Sequence, residues 1–320
     1  MSSSSPIEPP RFIDLRIDWL AQYSPETNLF GPETTARAIG DLPRIEGYLG
    51  ATSAAFLMLG RDREDWSRRP DSWSALADLI ARSEAEFPGR VLRSREDYSH
   101  WQSEPDGLTW IVMGVGGFGP LIRTRDDLKR LSRLFERGIR VFQPFSQEEP
   151  TVLDDNGIFL HFLATLEELN PTEHGPRPIL DLAGMDTRKI KQTLAWFEEK
   201  DHRAGHILLS HSAGRIDMES IARMRSLGGF TVLAASTRSF DSLAALRFAI
   251  ELVASIPIPG ITGYTKIGLA SDAFGGGKGL DGIETVPDLG AWAMKTLEPS
   301  VASALLRDNA TALIAQCVGV

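Results

Sequence analysis

His211 stands in the run Ser210-His211-Ser212-Ala213-Gly214-Arg215, a histidine between small polar residues just after a short apolar stretch. An imidazole with room on either side can act as a base or as a metal ligand near neutral pH, although a lone histidine is more often simply hydrogen-bonded. Arg215 can clamp a carboxylate through two parallel hydrogen bonds, and Asp217 reads as the N-cap of a following helix. A second candidate is Asp272, which follows Gly268-Leu269-Ala270-Ser271 and precedes Gly275-Gly276-Gly277. The glycines would let backbone approach a ligand; we read Asp272 as functional and the glycines as structural. The third group is Asp14, Arg16 and Asp18, which strict alternation along a strand places on one face, with Leu15 and Ile17 on the other. Buried charges need partners, so an Arg16–Asp salt bridge is the structural reading and substrate binding by Arg16 the functional one. The single cysteine, Cys317, rules out an intrachain disulfide framework or a thiolate metal site.

These residues are positioned by a repeating order of elements. Short apolar runs alternate with segments of helical periodicity, the pattern of a parallel sheet with crossover helices. Eight strand candidates are found: Phe12 to Ile17, Thr52 to Leu59, Leu108 to Gly114, Ile139 to Phe142, Ile179 to Leu182, His206 to Ser210, Phe230 to Ala235 and Lys266 to Ala270. Their near-continuous apolar content suits strands buried on both faces. Helical spacing is clear for Leu128, Leu131, Leu134 and Phe135, for Ile190, Leu194 and Phe197, and for Ile221, Met224 and Leu227. Gly138 and the pair Gly228-Gly229 read as helix C-caps leading into strands. Eight such units favour an α/β fold of the (β/α)8 TIM-barrel type over an open sheet, and the Gly-x-Gly-x-x-Gly turn of dinucleotide-binding sheets is missing after the first strand. A Ser- and Pro-rich tail is expected over residues 1–10 and one barrel domain over 11–320, with a helical insertion around 61–101. In such a barrel the functional residues lie at the C-terminal ends of the strands.

The motifs resemble those of the membrane (renal) dipeptidase family. Ser-His-Ser-Ala-Gly-Arg at 210–215 resembles its Ser-His-Ser segment, and Ile-Gly-Leu-Ala-Ser-Asp-Ala-Phe-Gly-Gly at 267–276 its Gly-Ser-Asp-Phe-Asp-Gly segment. Gly-Ile-Arg-Val at 138–141 is similar to a Gly-Val-Arg strand, and Asp-Asn-Ala at 308–310 sits where the family carries a late Gly-x-Asn. The resemblance implies an amidohydrolase-like barrel whose relatives bind two zinc ions through a His-x-Asp, a bridging Glu and two later histidines. This chain departs from that set. Arg16 replaces the first histidine, Val115 falls at or near the bridging Glu, and Asp181-Leu182-Ala183-Gly184 replaces Asp-Leu-Ser-His. Asp18 and His211 remain. On the substrate side, Arg215 matches a carboxylate-binding arginine once a deletion after Ser212 is allowed, and Asp272 matches an aspartate facing the substrate amine. No histidine matches, around Gln143 to Ser146, the one near the scissile carbonyl.

Two ligands do not define a binuclear site, and a cationic Arg16 would repel a dication, so no cofactor is expected and zinc only if the motifs are shifted. Three readings follow. One is a divergent hydrolase-type enzyme acting on a small peptide-like or amino-acid-like carboxylate, with His211 as base, Asp18 orienting it, and Arg16 and Arg215 holding anionic groups. Another is an inactive pseudo-dipeptidase that binds a ligand or partner. The last is an active zinc dipeptidase whose ligand set is completed by His161 or His174. The net charge of −9 and the scattered basic residues argue against nucleic acid or a polybasic membrane patch. With no apolar run of membrane-spanning length and no secretory leader, a cytoplasmic location is expected, and a homodimer by analogy with the family.

Overall fold

The computed structural model describes residues 11–17, 52–59, 72–103, 108–145, 151–169, 175–199, 207–209, 217–237, 239–258, 260, 263–271, 280–283 and 286–320. The expected tail at 1–10 lies outside them. Eight parallel strands form one sheet in sequence order: β1 (Phe12–Ile17), β2 (Thr52–Leu59), β3 (Trp110–Gly116), β4 (Ile139–Gln143), β5 (Ile179–Asp181), β6 (Ile207–Leu209), β7 (Phe230–Ala234) and β8 (Ile267–Ala270). Parallel neighbours need crossovers. From β2 to β8 helices supply them among the described residues: α1 (Ser72–Glu86), α2 (Arg95–Ser103), α3 (Arg130–Glu136), α4 (Asn156–Glu168), α5 (Thr187–Glu199), α6 (Met218–Ser226) and α7 (Leu243–Ala254), with α8 (Val286–Thr296) following β8. After β8 the chain also forms α9 (Pro299–Ser303), a π-helical turn (Ala304–Asp308) and α10 (Asn309–Val318). The stretch expected to hold a helical insertion contains α1 and α2.

Alternation along the strands divides the apolar residues into two layers. Ala54, Phe56 and Met58 of β2, Trp110 and Val112 of β3, Val141, Ile179, Val232 and Ala270 pack together inside the barrel. Their neighbours Leu57, Ile111, Met113, Phe142, Leu180, Leu233 and Leu269 face the helices. Helix α10 adds Ala310, Leu313, Ile314, Cys317 and Val318 to the inner layer. It therefore closes the end at which the strands begin.

The first and last strands meet through side chains. Buried Asp14 accepts hydrogen bonds from the Ser271 backbone N–H at 3.0 Å and from the Ser271 hydroxyl. Gly268 has no Cβ, and a Cβ there would strike Leu15. This close approach brings the sheet round on itself as an α/β barrel of the (β/α)8 TIM type. Among the described residues no helix is long and apolar enough to cross a membrane.

Local caps agree with the residue types. Gly138, at φ +98°, follows α3 in the left-handed conformation that glycine tolerates best and leads straight into β4. Asp217 caps α6 by accepting from Ser220 N at 2.8 Å, and this bond holds its carboxyl below the usual range.

Candidate functional site at the C-terminal mouth

The mouth can be built by following the inner row of each strand to its last residue. On β3, Trp110 and Val112 face inward, and a Cβ on Gly114 would lie 2.5 Å from Met58 Sδ and 2.8 Å from Val141 Cβ. Gly114 therefore belongs to the inner row, and Gly116 continues it to the mouth. Val115 lies in the helix-facing layer. This corrects the expectation at β3: the position opening on the mouth is Gly116, and Val115 points away from it.

On β4 the inner row runs from Val141 to Gln143, which is paired in register with Gly116. The Gln143 amide is buried and donates from Nε2 to Phe145 O and to Ala183 O, each at 3.1 Å. On β5 the row runs from Ile179 to Asp181, whose buried carboxylate accepts from Ala183 N at 3.0 Å. Two side chains from neighbouring strands thus grip Ala183 by its carbonyl and its N–H. The turn continues through Gly184 at φ +84°, a backbone angle at which any side chain would be strained. On the far side, Ser236 lies buried just beyond β7, and Ser271 is held by Asp14 beyond β8. The β3 loop is fixed as well, with Gly117 N bonded to Gln143 O at 2.8 Å and Gly119 N to Pro144 O at 2.7 Å. A floor fixed by its own hydrogen bonds costs little reorganisation when a ligand arrives, the condition for electrostatic recognition.

Arg16 lies within β1, at the end of the strand nearest the mouth. Asp18, His211, Arg215 and Asp272 lie outside the described residues, as does His174. The pairing of β1 with β2 bears on the expectation that Asp14, Arg16 and Asp18 share a face, of which Asp18 lies outside the described residues. Asp14 opposes Ala55 and Ile17 opposes Leu57, so β1 gains one residue between them and simple alternation breaks there. The carboxylate of Asp14 goes to the β8 seam. His161 sits on α4, half-buried, with Nδ1 3.1 Å from Arg125 Nη2.

Two residues that carry the family resemblance have structural surroundings. Arg140 is buried at the start of β4, where it donates to Phe135 O at 2.7 Å and Arg93 O at 2.6 Å, and burial pushes its guanidinium down to about 10. Asn309 donates to Tyr264 O and Ile267 O, each at 2.8 Å, and so fixes the entry to β8. Gln143 was missed as a mouth residue. Its signal was present, because a polar residue ends the apolar run Ile139 to Phe142 immediately before Pro144.

Among the described residues no group of three or more His, Cys, Asp or Glu side chains is placed to hold a metal ion. Gly116 and Gly184 carry no side-chain ligand atoms.

No family model and no curated protein matches the chain. Solved structures do resemble it. The structure of dipeptidase AC, a metallo peptidase, is 18% identical, covers 98% of this chain and 100% of its own, and gives a TM-score of 0.70. A metallo peptidase from Rhodobacter sphaeroides, solved with a phosphinate mimic of the dipeptide L-Ala-D-Ala, is 18% identical over 96% of this chain and 99% of its own, at a TM-score of 0.67. An amidohydrolase from Pseudomonas aeruginosa is 15% identical over 97% of each chain, at 0.60. At these identities the likeness establishes the fold that the chain shares with those enzymes.

Proposed function

We propose that this barrel, which has the fold of solved dipeptidases and an amidohydrolase, is a divergent hydrolase-type enzyme. Its substrate is a small peptide-like or amino-acid-like carboxylate, taken at the C-terminal mouth without the binuclear zinc centre of the membrane dipeptidases. The substrate class is carried over from the Rhodobacter sphaeroides metallo peptidase and its dipeptide mimic. Arg16 and Arg215 hold anionic groups, Asp272 faces the amine, His211 acts as the base and Asp18 orients it.

The observation that carries this reading is Gly116. A bridging carboxylate would have to project from the inner row at the end of β3, and that position bears no side chain. At β5 the chain offers Ala183 and Gly184, with Gln143 and Asp181 bonded to the turn they form. The donor set at these strand ends does not fit a binuclear zinc site, which needs several protein ligands per metal. A water activated by His211 is the nucleophile left to such a site, with the scissile C–N bond breaking and the proton passing to the leaving amine.

The test uses the full-length chain, purified and analysed for metal, on a panel of dipeptides and N-acyl amino acids. Turnover that persists after chelation and is abolished by His211→Ala, with ligand binding nearly intact, supports the proposal. Near-stoichiometric zinc at two per chain, with activity lost on chelation, sinks it in favour of a zinc dipeptidase. Ligand binding without turnover on any substrate makes the protein a binding relative of the enzymes.

A further inference from the structure

Helix α7 joins β7 to β8 on the outside of the barrel, and of its twelve residues only Arg247 and Glu251 are not apolar. A helix apolar on nearly all sides is normally covered on nearly all sides. Helix α4 shows the ordinary outcome: Phe159, Phe162, Leu163 and Leu166 are buried, and Ile158 and Leu160 are half-buried. Helix α7 differs. Leu246, Ile250 and Val253 are buried against the core, yet Phe248 stays 65% exposed and Leu252 37%. Among the large apolar side chains exposed in the described residues, these two lie one turn apart on one helix. We propose that this face is the contact surface of a two-fold homodimer, in which α7 packs antiparallel against α7 of a second copy.

Side chains four residues apart stack along one side of a helix, so the exposed residues Ala244, Phe248 and Leu252 form one stripe. Half-buried Ala245 and Ala249 extend it towards the core on one flank. The other flank carries the charges, with Arg247 Nε donating to Glu251 Oε1 at 2.8 Å and both side chains about half exposed.

A stripe with one charge of each sign on a single flank is complementary to a copy of itself. When two such helices run antiparallel about a two-fold axis, the same flank of each meets, and Arg247 of each copy faces Glu251 of the other. A parallel pairing would set Arg247 against Arg247 and Glu251 against Glu251, which repel. The apolar side chains agree with the antiparallel choice. Seating Phe248 on Leu252 of the second copy places the axis near Ile250, and seating Arg247 on its Glu251 places the axis near Ala249. One residue is about 1.5 Å of helix, so both contacts form in one arrangement. A contact of one helix on one helix is small beside an obligate interface, so association should be weak, with a dissociation constant of roughly 1–100 μM.

The test is sedimentation equilibrium of the full-length chain over a range of roughly 1 to 500 μM, which brackets that affinity. A reversible monomer–dimer equilibrium is expected. Phe248→Glu should leave a monomer throughout, with its melting temperature at low concentration unchanged because the side chain is exposed. Arg247→Glu alone should weaken association roughly tenfold by setting like charges together, and Arg247→Glu combined with Glu251→Arg should return it to near the original value. None of these readouts depends on turnover at the mouth. A chain that stays monomeric across the range overturns the proposal, as does a dimer indifferent to Phe248→Glu, which would form through another surface. The double exchange associating no better than Arg247→Glu overturns it too, because the charges would then not face each other. So does a lower melting temperature for Phe248→Glu at monomeric concentration, which would mean that the chain itself covers the stripe.

Discussion

Arg140, Arg225 and Lys189 lie buried with their charges on backbone carbonyls. Arg225 reaches Gly263 O at 2.9 Å, Thr265 O at 3.1 Å and also Val253 O, while Lys189 reaches Leu153 O at 2.9 Å. Each ties the end of one element to a loop distant in sequence. Arg225→Met should lower stability by about 2–4 kcal/mol, since it strands buried carbonyls, and urea unfolding will measure it. Cys317 makes a different prediction. Burial, partly opposed by the Arg140 charge, pushes its thiol from the ordinary 9.0 up to about 12. The folded thiol thus keeps its proton where the unfolded one has lost it. Its contribution is complete below pH 9 and is lost as pH rises from there towards 12. Stability followed by denaturant titration should fall across that window, and Cys317→Ala should flatten the fall.

At the scale of elements, the barrel depends on how closely neighbouring strands approach. Gly114→Ala would set a methyl carbon 2.5 Å from Met58 Sδ and 2.8 Å from Val141 Cβ. Valine 141 is stiff and sits on the adjacent strand, so overpacking should cost about 1–3 kcal/mol, read as a lower urea midpoint with an unchanged m-value. The β1–β8 seam has its own test. Asp14→Ala leaves the Ser271 N–H without that buried acceptor and should cost about 1–3 kcal/mol, with early loss of amide protection in β1 and β8 by hydrogen exchange. The sequence located these elements well: β1 and β2 have the bounds read from the apolar runs, and the other strands shift by one or two residues, β3 and β6 at both ends. Facing was harder to read. Val115 and Gly116 are adjacent in sequence and their roles exchange with a single step of the pleat, so an error of one residue moves a candidate ligand from the mouth to the helix layer. On β1 the extra residue between Asp14 and Ile17 depends on pairing with β2, which no local pattern records.

For the whole molecule, the two ends of the barrel have different characters. The C-terminal mouth is where barrels of this class place their chemistry, and here its floor is built from Gly116, Gln143, Asp181 and the Ala183-Gly184 turn. Arg16→His alone should not bring tight zinc binding, because Gly116 and Gly184 still lack side-chain ligand atoms; zinc titration monitored by calorimetry checks this, and stoichiometric binding would show that the ligand positions are misassigned. The opposite end is closed by α10.

From the sequence alone came the alternation of strand and helix and the count of strands. These follow from side-chain type and period, which are local properties. Tertiary packing decided the rest: that Gly116 and not Val115 opens on the mouth, that Asp14 joins β8, and that Gln143 and Asp181 hold one turn between them. Each is a contact between residues far apart in the chain, set by register and barrel closure, and period-two or period-3.6 patterns carry no information about either.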